Sequence, residues 1–242
     1  MKTRFLAPHP LFGRSGSRSP LSYQQRSPFY WWWAYLRANE DYLKCCANGG
    51  KGKYAGLFSD FGDIRDSNFK KWWTTDDRGA QLFGEREFAP KLIEVERHEE
   101  IPTEWDHSKL MLIAVPLTSD KQYLRARFNA LIKLRHPKRR GRTANKFAQS
   151  TAKYVLKSNY TVDNLDKCLS VYMRHKLAKK RGEKITLWQI GAELRLMPAS
   201  IPKPSDPPDA AFLKRQALAA AVSRYLKQAR QRISNAAKGV FP

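Results

Sequence analysis

Cationic side chains are concentrated in one short stretch in the second half of the sequence. Seven basic or imidazole side chains and no carboxylate occur between positions 135 and 146. Arginine offers a planar donor fork that matches phosphate oxygens, and Gly141 allows a close approach of the backbone. We therefore predict that this stretch contacts a phosphate backbone, with a solvated surface loop as the alternative. The predicted contact residues are Arg135, Lys138, Arg139, Arg140, Arg142 and Lys146.

A second group of cations falls at helical spacing near the end of the sequence. Arg224, Lys227 and Arg230 share one side of a predicted helix. The opposite side carries Leu218, Val222, Tyr225, Leu226, Ala229 and Ile233. Such a helix can dock on a core through its apolar face and present its cations to a nucleic-acid backbone or groove. We predict these three cations as further nucleic-acid contacts, and an ordinary amphipathic surface helix is the alternative.

Carboxylates raise the alternative of a metal-dependent nuclease. Asp60, Asp63 and Asp66 recur at every third position, and a second acidic cluster lies within residues 94–100. A nuclease needs carboxylates that converge beside a basic channel, which sequence spacing does not establish. No zinc-ligand spacing, Walker A motif or GxSxG motif occurs. We predict no catalytic residue, no metal and no cofactor, and three free thiols at Cys45, Cys46 and Cys168.

The charge distribution along the chain points to a polyanionic partner. The first 120 residues carry a net charge of +1, whereas residues 121–242 carry +22 of the total +23. A compact body with that charge repels itself unless a polyanion neutralises it, and nucleic acid is the usual one. An anionic membrane surface has no support from a lipidation motif or a signal peptide. Because no apolar run reaches the length of about 20 residues of a membrane helix, we expect a soluble, cytoplasmic protein.

The hydrophobic pattern changes from mixed to helical along the chain. Residues 28–48 read as a helix that Ser27 caps, residues 91–117 read as two strands, and the chain is helical from residue 118 onward. We predict an α+β fold that is mostly α-helical, with a small mixed α/β N-terminal half around an aromatic core and a basic helical C-terminal half. The predicted parts are a flexible arm (1–27), an aromatic-rich α/β domain (28–117), a basic helical domain (118–197), a Pro-rich linker (198–208) and a C-terminal basic amphipathic helix (209–242).

Residues 187–197 resemble the first helix of a helix-turn-helix unit. Ile190, Gly191, Ala192 and Leu194 match its pattern of an Ile, a small residue and a Leu. Arg195 stands where the turn usually has Gly, and a proline-rich stretch follows where a recognition helix should begin. Plain core packing of the apolar residues is the alternative.

Residues 58–85 resemble a segment of uncharacterised bacterial proteins associated with phage and mobile elements. The shared features are Phe61-Gly62-Asp63, Trp72-Trp73, Arg78-Gly79 and Leu82-Phe83. The resemblance implies a mobile-element setting but no catalytic residue.

Together these patterns predict a non-catalytic, regulatory or accessory DNA-binding factor of a mobile element or phage. Duplex DNA is favoured over RNA as its partner, and the aromatic N-terminal half is a further candidate surface for a protein partner. The alternatives are an RNA-binding protein, a metal-dependent nuclease and a protein-interaction subunit of a nucleoprotein complex.

Overall fold

The computed structural model describes residues 3–12, 23–66, 68–86, 97, 111–135, 147–148 and 150–242. These residues form α-helices joined by loops and short 3₁₀ turns. The α-helices are α1 (Pro28–Arg37), α2 (Glu40–Ala47), α3 (Ala55–Phe61), α4 (Phe69–Thr74), α5 (Arg78–Phe83), α6 (Lys121–Arg135), α7 (Val162–Arg181), α8 (Leu187–Glu193) and α9 (Pro208–Ala236). Within the described ranges, no helix combines the length and the apolar character needed to cross a bilayer.

The predicted α+β class, with a mixed α/β N-terminal half, is wrong. In the described part of the chain, β-type pairing is limited to an isolated parallel bridge between Leu156 and Phe241. The second predicted strand has no regular secondary structure over residues 111–116. Pro116 has no N–H to donate to a sheet, and residues 113–116 form a wall of a cleft that α6 also lines. Leu117 lies in a turn, and the rest of the two predicted strands, apart from Arg97, falls outside the described residues.

The single helix predicted over residues 28–48 is divided into α1 and α2. Ser27 caps α1 as predicted and accepts a hydrogen bond from the Phe29 N–H at 3.3 Å. Asn39 then caps α2 by accepting a hydrogen bond from the Tyr42 N–H at 2.9 Å. The Asn39 side chain also donates to the carbonyl of Ile233 at 3.3 Å, so the break between the two helices is fixed against α9.

Aromatic rings form the main core, as predicted. Trp32 is completely buried, and its ring centroid lies 5.3 Å from that of Phe83, 5.5 Å from Phe241 and 5.8 Å from Tyr154. These partners come from α5, from the end of the chain and from the loop before α7. Phe5, in the segment predicted as a flexible arm, also packs against this core. The core therefore joins distant parts of the sequence.

The described residues divide into two compact units. The first unit comes from within residues 1–86 and 145–242, and the second from within residues 87–144. A smaller apolar cluster in the first unit joins α7, α8 and α9 through Val171, Ile190, Leu196, Val222 and Leu226.

Candidate functional site

A surface groove in the first unit is formed by α7, α8 and α9. Its volume is about 620 Å³. Its lining among the described residues consists of His175, Leu187, Ser223, Leu226, Lys227, Arg230, Gln231 and Ser234, without a carboxylate. The floor is apolar at the two leucines, and the remaining lining residues are hydrogen-bonding or cationic.

The helical phase of α9 places the cations of the groove in solvent. Leu218, Val222 and Ala229 are completely buried against the rest of the unit. Lys227 and Arg230 are exposed on the opposite face of the helix, and the exposed Arg224 extends that face by another turn. The three cations span about 9 Å along the helix axis, at 1.5 Å per residue. The sequence predicted this face correctly.

Arg232, also on α9, has a structural role. Its guanidinium donates to the Asn164 side-chain oxygen at 2.6 Å and lies 3.0 Å from the Cys168 sulfur. Burial raises the pKa of the Cys168 thiol, so the sulfur stays protonated and donates to Gln228 at 3.3 Å. These contacts fix α9 against α7, and thereby position the groove between them.

The carboxylates of the basic half are engaged away from the groove. Arg174 binds Glu183 and Glu193, each at 2.7 Å, and its hydrogen bond holds the pKa of Glu183 below the usual range. Asp163 pairs with Lys167, and Asp206 pairs with Lys214. Asp166 accepts a hydrogen bond from the Ser170 hydroxyl, and Asp209 lies in the first turn of α9. None of these six carboxylates therefore forms an ion pair with Lys227 or Arg230 in the groove.

Described carboxylates of the nearly neutral half, residues 1–120, also form no ion pair with the cations of the groove. Among the described residues, two ion pairs join the halves, Lys153 with Asp60 and Lys176 with Glu40. Lys227 and Arg230 form no ion pair with any described carboxylate. Two fixed positive charges beside hydroxyl and amide groups form a suitable site for phosphate oxygens.

The predicted contact residues fall in different parts of the chain. Arg224, Lys227 and Arg230 lie together on α9. Arg135 is the exposed last residue of α6, in the second unit. The remaining predicted contacts, Lys138, Arg139, Arg140, Arg142 and Lys146, lie outside the described residues.

Several groove residues were not predicted, above all His175 on α7. A signal for it exists in the sequence, because His175 continues the buried stripe of Leu165, Cys168 and Val171 at helical spacing. The stripe indicates that His175 faces a neighbouring element, but it does not identify α9 as that neighbour. Ser223 and Gln231 carried no signal beyond their place beside the predicted cations.

The carboxylates considered for a nuclease are held by separate partners. Asp60 is bound by Lys153 and Tyr154, Asp63 by Arg65 at 2.5 Å, and Asp66 by Lys71 at 3.5 Å. No group of three or more described His, Cys, Asp or Glu side chains is arranged to hold a metal ion. The acidic cluster at residues 94–100 lies outside the described residues, apart from Arg97 within it.

The segment that resembles a helix-turn-helix unit forms α8 and the turn after it. Arg195 adopts the left-handed conformation, with φ of 47°, at the position where the motif usually has Gly. Ile190 is completely buried between α7 and α9. The next long helix, α9, starts only at Pro208, and its predicted contact residues, Arg224, Lys227 and Arg230, lie more than four turns further along.

The chain matches no protein-family model, and comparisons with curated proteins and with solved structures found no match. The functional assignment therefore depends on the geometry and charge of the groove.

Proposed function

We propose that this chain binds nucleic acid through the groove and the cationic face of α9. The observation that supports this most directly is that the described lining of the groove holds Lys227 and Arg230 without a carboxylate beside them. Binding a phosphate backbone there would release condensed counterions, which drives association at low salt. Arg224 extends the same face.

Duplex DNA is the partner we favour. Proteins that bind single strands stack the bases on aromatic side chains. The described residues that line the groove include no Phe, Tyr or Trp, and the tryptophans of α1 and α4 are buried in the core. The exposed cations of α9 suit contacts to the phosphates of a duplex, which hold the protein in place but do not read base sequence.

The proposed role is that of a non-catalytic regulatory or accessory factor in the cytoplasm. The resemblance of residues 58–85 to phage- and mobile-element-associated proteins favours a mobile-element setting. The proposal extends to the basic stretch around Arg139, Arg140 and Arg142, which is outside the described residues and is tested separately.

The test measures affinity for a random duplex between about 50 and 200 mM salt, the range over which phosphate contacts dominate. The Lys227→Ala/Arg230→Ala variant should bind more weakly. Its plot of log affinity against log salt should be shallower by about 0.9 for each phosphate that the variant no longer neutralises. Lys51→Ala/Lys70→Ala is the matched control, since it removes two exposed cations from the nearly neutral half.

An unchanged slope in the groove variant would remove α9 from the interface. The same measurement on Arg139→Ala/Arg140→Ala/Arg142→Ala tests the basic stretch. Preference for RNA in competition would favour an RNA-binding protein. Mg²⁺-dependent cleavage that is abolished in Asp60→Ala/Asp63→Ala would favour a nuclease. Weak binding by the chain alone, together with co-purification of a partner, would favour an interaction subunit.

A further inference from the structure

Helix α6 in the second unit carries an apolar stripe that the described structure leaves uncovered. Leu124, Phe128 and Leu131 follow helical spacing, yet no residue of α6 is buried. Phe128 is 40% exposed and Leu131 is 41% exposed. The apolar spacing predicts a face that is buried in a core, so a face left uncovered by the described residues is available to a partner.

The stripe forms one wall of a cleft. The other wall is residues 113–116, and the volume between them is about 390 Å³. Arg125 and Arg127 also line the cleft and lie on the two sides of the apolar stripe. The cleft therefore has an apolar floor with a guanidinium at each rim.

Among the described residues around the cleft, positive charges outnumber carboxylates. Asp120 is the single carboxylate within residues 111–135. It caps α6 by accepting hydrogen bonds from the backbone N–H groups of Gln122 and Tyr123 at 2.8 and 3.1 Å. It is thus committed to the end of the helix, and both rim arginines are exposed.

Apolar surface continues beyond the cleft on both walls. Leu117 is 91% exposed and Leu134 is 77% exposed. A ligand that covers this area as well as the cleft is larger than a small metabolite, since contiguous exposed apolar surface marks a macromolecular contact. A second copy of α6 is disfavoured because it would bring like charges together.

We propose that α6 and residues 111–117 dock an acidic segment of a partner protein. A bulky apolar side chain of that segment enters the cleft, and flanking carboxylates bind Arg125 and Arg127. Nucleic acid would neutralise the arginines but would leave the leucines in water. A flat membrane surface would not fill a concave cleft. This interface shares no residue with the α9 groove and does not depend on the proposed function.

The test selects binders to the full chain from a random displayed peptide library and measures their affinity by fluorescence anisotropy. The selected peptides should be enriched in Asp and Glu around a bulky apolar residue. Arg125→Glu/Arg127→Glu should weaken binding at least tenfold. Lys179→Glu/Lys180→Glu is the matched control, because it reverses two exposed charges on α7, and it should change affinity less than twofold.

A second pair of variants tests the apolar contact. Leu131→Ser should weaken peptide binding, whereas Leu213→Ser, at an exposed leucine of α9, should not. Lys227→Ala/Arg230→Ala should retain the peptide, which separates this proposal from DNA binding. Selected peptides without acidic enrichment, or equal weakening in the control variants, would overturn the proposal. So would displacement of the peptide by phosphatidylglycerol vesicles that bind through the same residues.

Discussion

Arg230 and Arg232 lie two positions apart on one helix and have different environments. Arg230 lines the groove and is exposed, whereas Arg232 is half-buried and donates to Asn164 and to the Cys168 sulfur. The residue type is the same, and the helical phase of about 100° per residue decides which arginine meets a ligand and which meets the core. At this scale the sequence alone could select the exposed arginine, because the apolar stripe of α9 defines the phase.

Asp60 offers a test of residue-level electrostatics. Partial burial acts to raise its pKa, but hydrogen bonds from Lys153 and Tyr154 outweigh burial and hold the pKa of Asp60 below the usual range. The folded state therefore binds fewer protons than the unfolded state in acid, so the stabilisation is present at neutral pH and disappears as pH falls through the lowered pKa. We expect Asp60→Asn to lower the free energy of unfolding at pH 7 by about 1.5 kcal/mol, the typical contribution of a charged hydrogen bond.

Denaturant unfolding of Asp60→Asn at a series of pH values checks this expectation. The variant should lose less stability than the wild type as pH is lowered from neutral. Asp76→Asn, at an exposed carboxylate, serves as the control. Parallel pH curves for the wild type and Asp60→Asn would contradict the assignment.

At the scale of elements, close packing of α5 restricts position 79. A Cβ on Gly79 would lie 2.2 Å from the Trp73 ring, which stacks on Phe83 with an interplanar angle of 7°. Alanine in a helix is favoured over glycine by about 1 kcal/mol, but overpacking a core costs roughly 1–3 kcal/mol. We expect Gly79→Ala to be destabilising, as measured by thermal and urea unfolding.

Gly56 in α3 provides the matched comparison. A Cβ there would meet no described atom within 4 Å. Gly56→Ala should therefore show the helix-propensity gain alone, with an increase in stability of up to about 1 kcal/mol. If both variants shift stability in the same direction, the close contact with the Trp73 ring does not make alanine at position 79 destabilising.

The sequence predicted helices better than it predicted strands. Ser27 was correctly predicted as a helix cap, and apolar spacing correctly predicted helical structure after residue 118, because these signals are local. The apolar run before α6 was misread as a buried strand, since a short apolar run does not show whether another strand or a helix packs against it. The stripe of α6 was likewise expected to be buried, because periodicity does not say whether the covering partner belongs to the same chain.

At the scale of the whole molecule, the net charge of +23 acts on stability as well as on binding. Self-repulsion destabilises a compact state, and the Debye length falls from about 30 Å at 0.01 M to about 8 Å at 0.15 M ionic strength. We expect the melting temperature of the free protein to rise over this range of salt. Calorimetry with two different monovalent salts checks this, and a melting temperature that falls with salt would show that attractive ion pairs dominate.

The full set of residues that line the groove could not be predicted from the sequence, because three helices of the folded molecule contribute them. The cations of α9 were readable from one helix, but the groove also needs His175 from α7 and Leu187 from α8. The close approach of α8 to α9 at Gly191, where a Cβ would lie 3.1 Å from Val222, is set by tertiary packing. Sequence periodicity gives the inner face of each helix and leaves the pairing of those faces open.

Phe241 has a consequence for how the chain is made. Its side chain is completely buried between Trp32 and Tyr35, and its carbonyl accepts a hydrogen bond from the Lys157 N–H at 2.8 Å. At 5–20 residues per second, a ribosome adds Phe241 on the order of 10–40 s after Trp32. Trp32 therefore leaves the ribosome well before its contact with Phe241 can form. The contacts of Phe241 with Trp32 and Tyr35 complete the aromatic core only after translation has passed residue 241.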